Sequence, residues 1–353
     1  MARESSRRRP TMAEVARAAG VSVMTVSYTY GQPERVSAQA RVKVREAADL
    51  LGYPGPHPAA RSLRRGRAGS LGVVIGEHLS YAFTDPQAAR FLAGVADVCA
   101  DHGLGLMLLP ITGAPSDIDR VAEAAVDGFV VWTTADDDPV VDAVAATGLP
   151  AVVHGGPQRD DLPFVAIDNQ SAARAVAAET FAGARRPAVL SFPTDRTRTP
   201  ALLWGPDPEI AAFRVTRQRL LGARQAWQEL GGDWSRVRVA VCARNSAAEA
   251  YDVMLELLAA SDAPDAVVAM SDELALGVLR ATADLGRRVP GDVAVSGWDD
   301  TGNAASAGLT TIAQSLHEQG TDCARLALGL VPDRLDQSNA WSLVRRTTTR
   351  STP

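Results

Sequence analysis

The feature that most constrains this chain is a pair of short helices near its amino end, joined by only three residues. Thr11, with Glu14 three residues later, forms a capping box that satisfies free amides at a helix start. Gly20 supplies a left-handed stop after about two turns of helix. Ser22 is suited to cap a second helix. The turn Gly20-Val21-Ser22 sets the two helices at a steep angle, which is the spacing of a helix-turn-helix unit.

A third helix is predicted to start at Ser37 and to stop at Gly52, before Tyr53-Pro54. The spacing of apolar residues predicts which side chains of the three helices face inward. The predicted inward set is Val15, Ala16, Ala19, Val21, Val26, Val42, Ala47, Leu50 and Leu51. These helices would share one small core.

Charge is distributed unevenly along the chain. Residues 1–67 carry a net charge of +8, whereas the remainder carries −13, giving −5 overall. A compact basic head indicates binding to a polyanion, because phosphate neutralisation dominates affinity for nucleic acids. A solvated basic tail is the alternative interpretation.

The second helix carries the residues expected to meet DNA, because the first turns of that helix enter the major groove in such units. Val23 and Met24 could touch thymine methyl groups, although packing against the neighbouring helix is the alternative for both. Thr25 and Ser27 could bond phosphate oxygens, and Tyr28 offers a ring and one hydroxyl. The predicted DNA-contacting set of the head is Thr11, Val23, Met24, Thr25, Ser27, Tyr28, Arg35 and Ser37.

An ordered series of motifs runs through the first 75 residues. It comprises TMAEVA at 11–16, VS at 21–22, TVS at 25–27, VS at 36–37, LGY at 51–53, ARSL at 60–63 and LGVVI at 71–75. In these segments the chain resembles the lac repressor family, over nearly its whole length. The resemblance implies an α/β protein: a small all-α helix-turn-helix DNA-binding domain followed by a two-lobed periplasmic-binding-protein-like core with parallel sheets. Tyr28 stands where family members commonly carry a guanine-contacting arginine, so the operator sequence cannot be transferred by analogy.

The segment between head and core is predicted to fold only on a partner. Residues 54–58 are proline-rich and end the head, and Pro58 is suited to begin a short helix over 59–63. Such a short helix is unstable alone in water, so DNA is the expected partner and a flexible linker the alternative. In the lac repressor family, paired hinge helices of a dimer wedge a leucine into the minor groove. The resemblance gives this role to Leu63 and a DNA contact to Arg61.

From residue 70 onward, short apolar runs alternate with helical stretches, which predicts two α/β lobes with parallel sheets. We expect a head at 10–55, a hinge and linker at 56–68 and a ligand-sensing core at 69–353. The first lobe would span about 69–165 and 314–336, and the second about 166–312 and 338–353. Ligands bind beyond the carboxyl ends of strands in such sheets, so a cleft between the lobes is the expected site.

Candidate effector ligands follow strand ends. Asp299 could accept hydrogen bonds from hydroxyl groups, or could merely cap a helix. Arg219 resembles the pocket arginine of the family, able to bond Asp299 or a ligand. Residues 193–210 could cap the cleft or merely cover surface, and the first-lobe candidates could lie in a surface loop. The predicted effector-binding set is His78, Phe83, Asp168, Trp204, Arg219, Ser271, Trp298 and Asp299.

Other function classes find little support in the sequence. The five histidines are scattered, the three cysteines lack metal or redox spacing, and no catalytic signature occurs. No cofactor or metal is expected, and without a signal peptide a cytoplasmic location is expected. We therefore predict a non-enzymatic, allosteric repressor that binds a palindromic double-stranded DNA operator as a homodimer. Its effector is predicted to be a small molecule, preferably a carbohydrate. The alternatives are a corepressor-dependent regulator sensing a nucleobase and, more remotely, a sugar-binding protein without DNA function.

Overall fold

The computed structural model describes residues 10–55, 67–76, 79–331 and 340–350. Three predicted site residues, Arg61, Leu63 and His78, lie outside these ranges. The chain divides into two compact units, Met1–Ala68 and Gly69–Pro353, called the head and the core below.

Three helices form the head: α1 Met12–Ala19, α2 Val23–Gly31 and α3 Ala38–Leu51. Each begins at a side-chain cap. Thr11 and Glu14 make the complete capping box, with the Thr11 amide donating to Glu14 Oε2 at 2.7 Å. Ser22 Oγ accepts from the Thr25 amide at 3.0 Å. Gly20 ends α1 at φ 64°, a conformation that costs glycine little.

The head core is built partly from residues other than those predicted. It comprises Val15, Ala16, Val26, Val44, Ala47, Ala48 and Tyr53. The inward positions predicted for Val42 and Leu50 are wrong, since these side chains are 54% and 85% exposed. Leu51 is also exposed, at 37%. Successive turns of α3 place 44, 47 and 48 on one face, and Val42 falls on the opposite face of a 3.6-residue helix.

The first lobe of the core, residues 70–165 with 316–331, holds a parallel sheet in the order β2-β1-β3-β4-β5. Its strands are β1 Ser70–Ile75, β2 Gly105–Pro110, β3 Phe129–Trp132, β4 Ala151–His154 and β5 Phe164–Val165. Its helices are α4 Tyr81–Thr84, α5 Pro86–Asp101, α6 Ser116–Ala122, α7 Pro139–Ala146 and, much later in the chain, α13 Leu316–Ala327. α13 crosses α5 so closely that a Cβ on Gly94 would lie 2.0 Å from the His317 carbonyl oxygen.

The second lobe, residues 166–314 with 340–350, holds a sheet in the order β10-β9-β6-β8-β7. Its strands are β6 Pro187–Ser191, β7 Ala201–Trp204, β8 Arg238–Val241, β9 Ala266–Ala269 and β10 Ala294–Ser296. Its helices are α8 Asn169–Phe181, α9 Arg214–Glu229, α10 Ala247–Ala259, α11 Asp272–Asp284 and α12 Gly302–Ser306. β11 Thr311–Gln314 and β12 Trp341–Val344 pair antiparallel beside this lobe.

Two further features concern residues 193–210 and the points where the chain crosses between the lobes. Residues 193–210 are not all loop, because β7 runs antiparallel to β8 at the sheet edge. The chain passes between lobes after β5, after β11 and between α13 and β12. In the described ranges, no helix is both long and apolar enough to cross a membrane.

Candidate functional site

The head presents an exposed apolar and polar face at the start of α2. Val23 and Met24 are 48% and 60% exposed, so they do not pack in the head core. This exposure rules out the packing alternative for both residues within the head. Thr11 and Ser37, the caps of α1 and α3, are also exposed. The first turn of α2 is therefore open to a partner.

Tyr28 and Arg35 form a pair beside that turn. The guanidinium carbon of Arg35 lies 5.5 Å from the centroid of the half-buried Tyr28 ring, and its Nη1 donates to Gln32 Oε1 at 3.1 Å. Thr25 Oγ1 shares a hydrogen bond with Ser22 Oγ at 2.9 Å. Ser27, in contrast, is buried and belongs to the inner side of α2.

In the core, a cavity of about 160 Å³ lies between the carboxyl ends of the two sheets. Its walls come from both lobes and combine polar with aromatic side chains. The polar lining is Asp85, Gln87, Thr133, His154, Asn169, Arg198, Thr216, Arg219, Asn245, Asp299, Gln314 and Gln319, and the aromatic lining is Tyr81, Trp132, Phe192 and Phe213. Across the described ranges, no group of three or more His, Cys, Asp or Glu side chains is arranged to hold a metal ion.

Arg219 forms the centre of the second-lobe wall. Its Nε donates to Asn169 Oδ1 at 3.0 Å, and its Nη1 donates to the Met270 carbonyl. Its guanidinium carbon lies 3.8 Å from the centroid of the Trp298 ring. Burial lowers the pKa of Arg219 to about 10, opposed by the nearby charge of Asp299. The group remains cationic at neutral pH.

Asp299 lies in the cavity wall next to Arg219 and does not cap a helix. α12 is capped by Thr301 instead, which settles the alternative raised for this carboxylate. Gln314 Nε2 donates to Asp299 Oδ1 at 2.8 Å. Burial raises the pKa of Asp299 to about 8, against the lowering effect of Arg219. Trp298 is only 1% exposed and supports Arg219 from behind the lining.

Ser271 does not line the cavity itself but bonds Asn245, which does. Its hydroxyl donates to Asn245 Oδ1 at 2.5 Å, and Asn245 Nδ2 donates to Asp85 Oδ2 at 2.6 Å. Asp85 caps α5 of the first lobe, where its Oδ1 accepts from the Gln87 and Ala88 amides. This chain of contacts joins the lobes across the cavity.

The first-lobe wall is aromatic, with buried polar groups between the rings. Trp132 stacks on Phe91 with centroids 4.9 Å apart. His154 lies 4.7 Å from Phe91 and bonds Gln319 Oε1 through Nε2 at 2.8 Å. Burial lowers the pKa of His154 to about 4, so its ring is neutral. In the described part of the chain, His154 Nδ1 and Gln87 Nε2 have no hydrogen-bond partner.

Besides Ser271 and Trp298, three more predicted residues do not line this cavity. Asp168 caps α8 by accepting from the Ser171 amide at 2.9 Å. Phe83 is 72% exposed on α4. Trp204 is 57% exposed on β7, near Arg238. In the same segment, residues 193–210, Arg198 reaches the cavity instead, and its Nη2 donates to the Gly76 carbonyl at 3.0 Å.

Sequence reasoning missed several lining residues that end strands. Trp132 ends β3, His154 ends β4 and Gln314 ends β11, positions that the strand-end rule would have selected. Gln319 lies on α13, and no local signal marks it.

Ion pairs join the lobes outside the cavity. Arg217 Nη2 lies 2.6 Å from Asp136 Oδ2, and Arg196 Nη2 lies 2.7 Å from Asp137 Oδ1. The Asp136 amide also donates to the Ala212 carbonyl at 2.9 Å. These contacts form the rim of the cleft, defined here as residues 136–137, 196, 212 and 217.

Comparison with known proteins agrees with this architecture. Residues 11–55 match the model of bacterial regulatory proteins of the lacI family, and residues 182–352 match a periplasmic binding protein-like domain. The HTH-type transcriptional regulator IpsA of Corynebacterium glutamicum is 38% identical over 312 residues, covering 86% of each chain.

Solved structures show the same arrangement. A crystal structure of a LacI-family transcriptional regulator from Corynebacterium glutamicum superposes with a TM-score of 0.73 at 31% identity, covering 96% of this chain and 98% of that one. A complex of the regulator CelR with cellobiose gives a TM-score of 0.65 at 27% identity, covering 96% and 100%. The predicted family and fold class are confirmed. The chain belongs to the lacI family of bacterial transcriptional regulators, which are DNA-binding proteins and not enzymes.

Proposed function

We propose that this chain is a repressor whose affinity for its operator is set by an uncharged, hydroxyl-bearing small molecule, a sugar, bound between the core lobes. The observation that carries the proposal is the cavity formed by strand ends of both lobes, with Arg219 and Asp299 side by side in its wall. A ligand that touches both walls stabilises one arrangement of the lobes over another. Such a difference in affinity between two arrangements is what couples an effector site to a DNA-binding site.

The chemistry of the lining favours a sugar. Arg219 donates hydrogen bonds, Asp299 accepts them, and Trp132 supplies an apolar ring on the opposite wall. Gln87 and His154 each hold an unpartnered polar atom that costs free energy while buried. Hydroxyl groups both donate and accept, so a polyhydroxy ligand matches the donors and the acceptors of this lining. The similar regulator CelR has been solved with cellobiose.

DNA recognition is proposed to use the exposed face of the head together with the hinge. The head residues are Thr11, Val23, Met24, Thr25, Tyr28, Arg35 and Ser37, with Ser27 behind them. Arg61 and Leu63 of the hinge, residues 56–68, complete the set on sequence grounds alone. We propose a homodimer on a palindromic operator, because one head covers too little DNA for useful affinity.

Thermal unfolding of the full-length protein with cellobiose, ribose and adenine tests the effector class. A sugar that binds the native state at about 100 times its Kd stabilises it by about 2.7 kcal/mol and raises Tm. Arg219→Met should abolish the shift, whereas Arg224→Met, on the same helix and paired with Asp207 outside the cavity, should retain it. A shift with adenine alone would overturn the sugar in favour of a nucleobase. Repeating the titration with operator DNA distinguishes an inducer from a corepressor.

A further inference from the structure

A continuous chain of side-chain hydrogen bonds crosses the cavity wall from one lobe to the other. Gln314 Nε2 donates to Asp299 Oδ1 at 2.8 Å, and Gln319 Nε2 donates to Gln314 Oε1 at 3.2 Å. Gln319 Oε1 then bonds His154 Nε2 at 2.8 Å. Asp299 belongs to the second lobe and His154 to the first. All four residues line the cavity.

The side-chain amides of this chain all donate in the same direction, toward Asp299. Gln314 turns its NH₂ group toward Asp299 Oδ1, which accepts when the carboxyl is ionised and also when its proton lies on Oδ2. Gln314 presents its oxygen to Gln319, which turns its own NH₂ group toward Gln314. Gln319 is left with an oxygen for His154, so His154 Nε2 must carry a hydrogen.

The direction of donation determines the tautomer of His154 because His154 and Gln319 are buried away from water. Gln319 is 2% and His154 6% exposed, and the rings of Phe91 and Trp132 lie beside the imidazole. A neutral ring with hydrogen on Nε2 has a bare, accepting Nδ1, which has no partner in the described ranges. Gln87 Nε2, a donor, is unpartnered as well. A hydroxyl can serve either group, whereas a carboxylate or phosphate cannot donate to Nδ1.

We propose that Gln314 and Gln319 are positioning residues that hold His154 as the neutral Nε2–H tautomer and so make this wall select an uncharged, hydroxyl-bearing effector. The selection rests on the proposed function above, because it presumes that the cavity holds the effector. The tautomer itself does not depend on any ligand.

The ring ¹⁵N chemical shifts of His154 test the tautomer directly. Full-length protein labelled with [¹⁵N]histidine is measured by solid-state NMR at neutral pH, and His154→Gln assigns the signal. The wild type should show only the Nε2–H form, and Gln319→Leu should produce a second population with hydrogen on Nδ1. Gln170→Leu, which removes an amide that pairs with Gln225 outside the cavity, should leave the shifts unchanged. A wild-type ring protonated on Nδ1, or shifts insensitive to Gln319, overturns the proposal.

A second variant and a binding measurement complete the test. If Gln319→Leu does not fold, Gln314→Leu breaks the same chain at a half-buried position and should give the same mixture. Calorimetry with cellobiose should show about tenfold weaker binding for Gln319→Leu than for the wild type and Gln170→Leu. Equal affinities would contradict the selective role. If none of the three proteins binds cellobiose, the proposed sugar fails, and the ring shifts alone decide on the positioning residues.

Discussion

Arg219 shows how a buried charge can be held ready for a ligand. Its partners are an amide oxygen, a backbone carbonyl and the rings of Trp298 and Phe192, none of which carries a full negative charge. Among the described residues it forms no ion pair with a carboxylate. Asp299 is close enough to influence its pKa yet is not bonded to it. The two groups therefore influence each other through space, and each keeps hydrogen-bonding capacity for a third partner.

The raised pKa of Asp299 predicts a dependence of stability on pH. The folded-state pKa is about 8, whereas an unfolded aspartate titrates near 3.9. Between these values the native state binds more protons than the unfolded state, so the free energy of unfolding should fall as pH rises, by at most about 1.4 kcal/mol per pH unit. The charges that face Asp299 are Arg219, which opposes the shift, and Asp272 and Asp85, which reinforce it.

Urea unfolding at pH 5.5, 6.5 and 7.5 checks this prediction. Asp299→Asn removes the titrating group and should flatten the pH dependence relative to the wild type. Asp168→Asn is a matched control, since Asp168 is an exposed helix cap and asparagine also caps well. Equal slopes for the wild type and Asp299→Asn would show that Asp299 does not hold its proton in the folded protein.

At the scale of elements, the loop after β3 and the helix α9 meet at the cleft rim. The side chain of Arg217 is 17% and that of Asp136 36% exposed, so this ion pair is only partly screened by water. Because the pair joins two lobes, it stabilises this arrangement of the lobes rather than either lobe alone. A partly exposed ion pair of this kind contributes about 0.5–1 kcal/mol.

Asp136→Asn should therefore weaken binding of the sugar identified in the unfolding screen by roughly two- to fivefold. The loss should shrink at high salt, because the wild-type ion pair is itself screened there. Asp142→Asn removes a similar pair with Arg159 inside the first lobe and should leave affinity unchanged. Calorimetry at low and high salt provides the measurement. A loss of the same size in both variants would contradict a role for the rim in closure.

The elements that sequence reasoning predicted best are those whose signals are local. Capping residues Thr11, Ser22 and Ser37 mark the helix starts of the head, and apolar runs mark most buried strands. β7 was not predicted because its four apolar residues, ALLW at 201–204, lie exposed at a sheet edge between Pro200 and Gly205, inside a proline-rich segment that was interpreted as a cap or a surface cover. The inward face of α3 was misassigned because apolar residues lie on both sides of that helix.

The cavity was harder to predict because its partners are far apart in the chain. Asp299 and Arg219 were selected from a strand end and a family resemblance, and both line the cavity. The bond between His154 and Gln319 joins residues 165 positions apart. Only the packing of α13 on the first lobe brings them together, and no periodicity in either segment contains that information.

At the scale of the whole molecule, the uneven charge indicates which part of the chain attracts DNA. Residues 1–67 carry +8 and the rest −13, so attraction to DNA phosphates must come from the head and the hinge. In the proposed homodimer, the core would affect operator affinity by changing how two heads and two hinges are presented. Leu63 and its neighbouring arginines lie outside the described residues, and the proposal for them rests on sequence.

Leu63→Ala should weaken operator binding while leaving the unfolding of the core unchanged. Burying a leucine side chain contributes about 1.5–3 kcal/mol, so each hinge that loses its wedge should cost roughly 10- to 100-fold in affinity. Leu50→Ala is the matched control, because Leu50 is an 85% exposed leucine of α3. Gel-shift titration measures affinity, and sedimentation of free and bound protein establishes whether two copies bind one operator. Unchanged affinity in Leu63→Ala would show that the hinge is a plain linker. A monomer bound to operator would refute the dimer, on which the proposed leucine wedge depends.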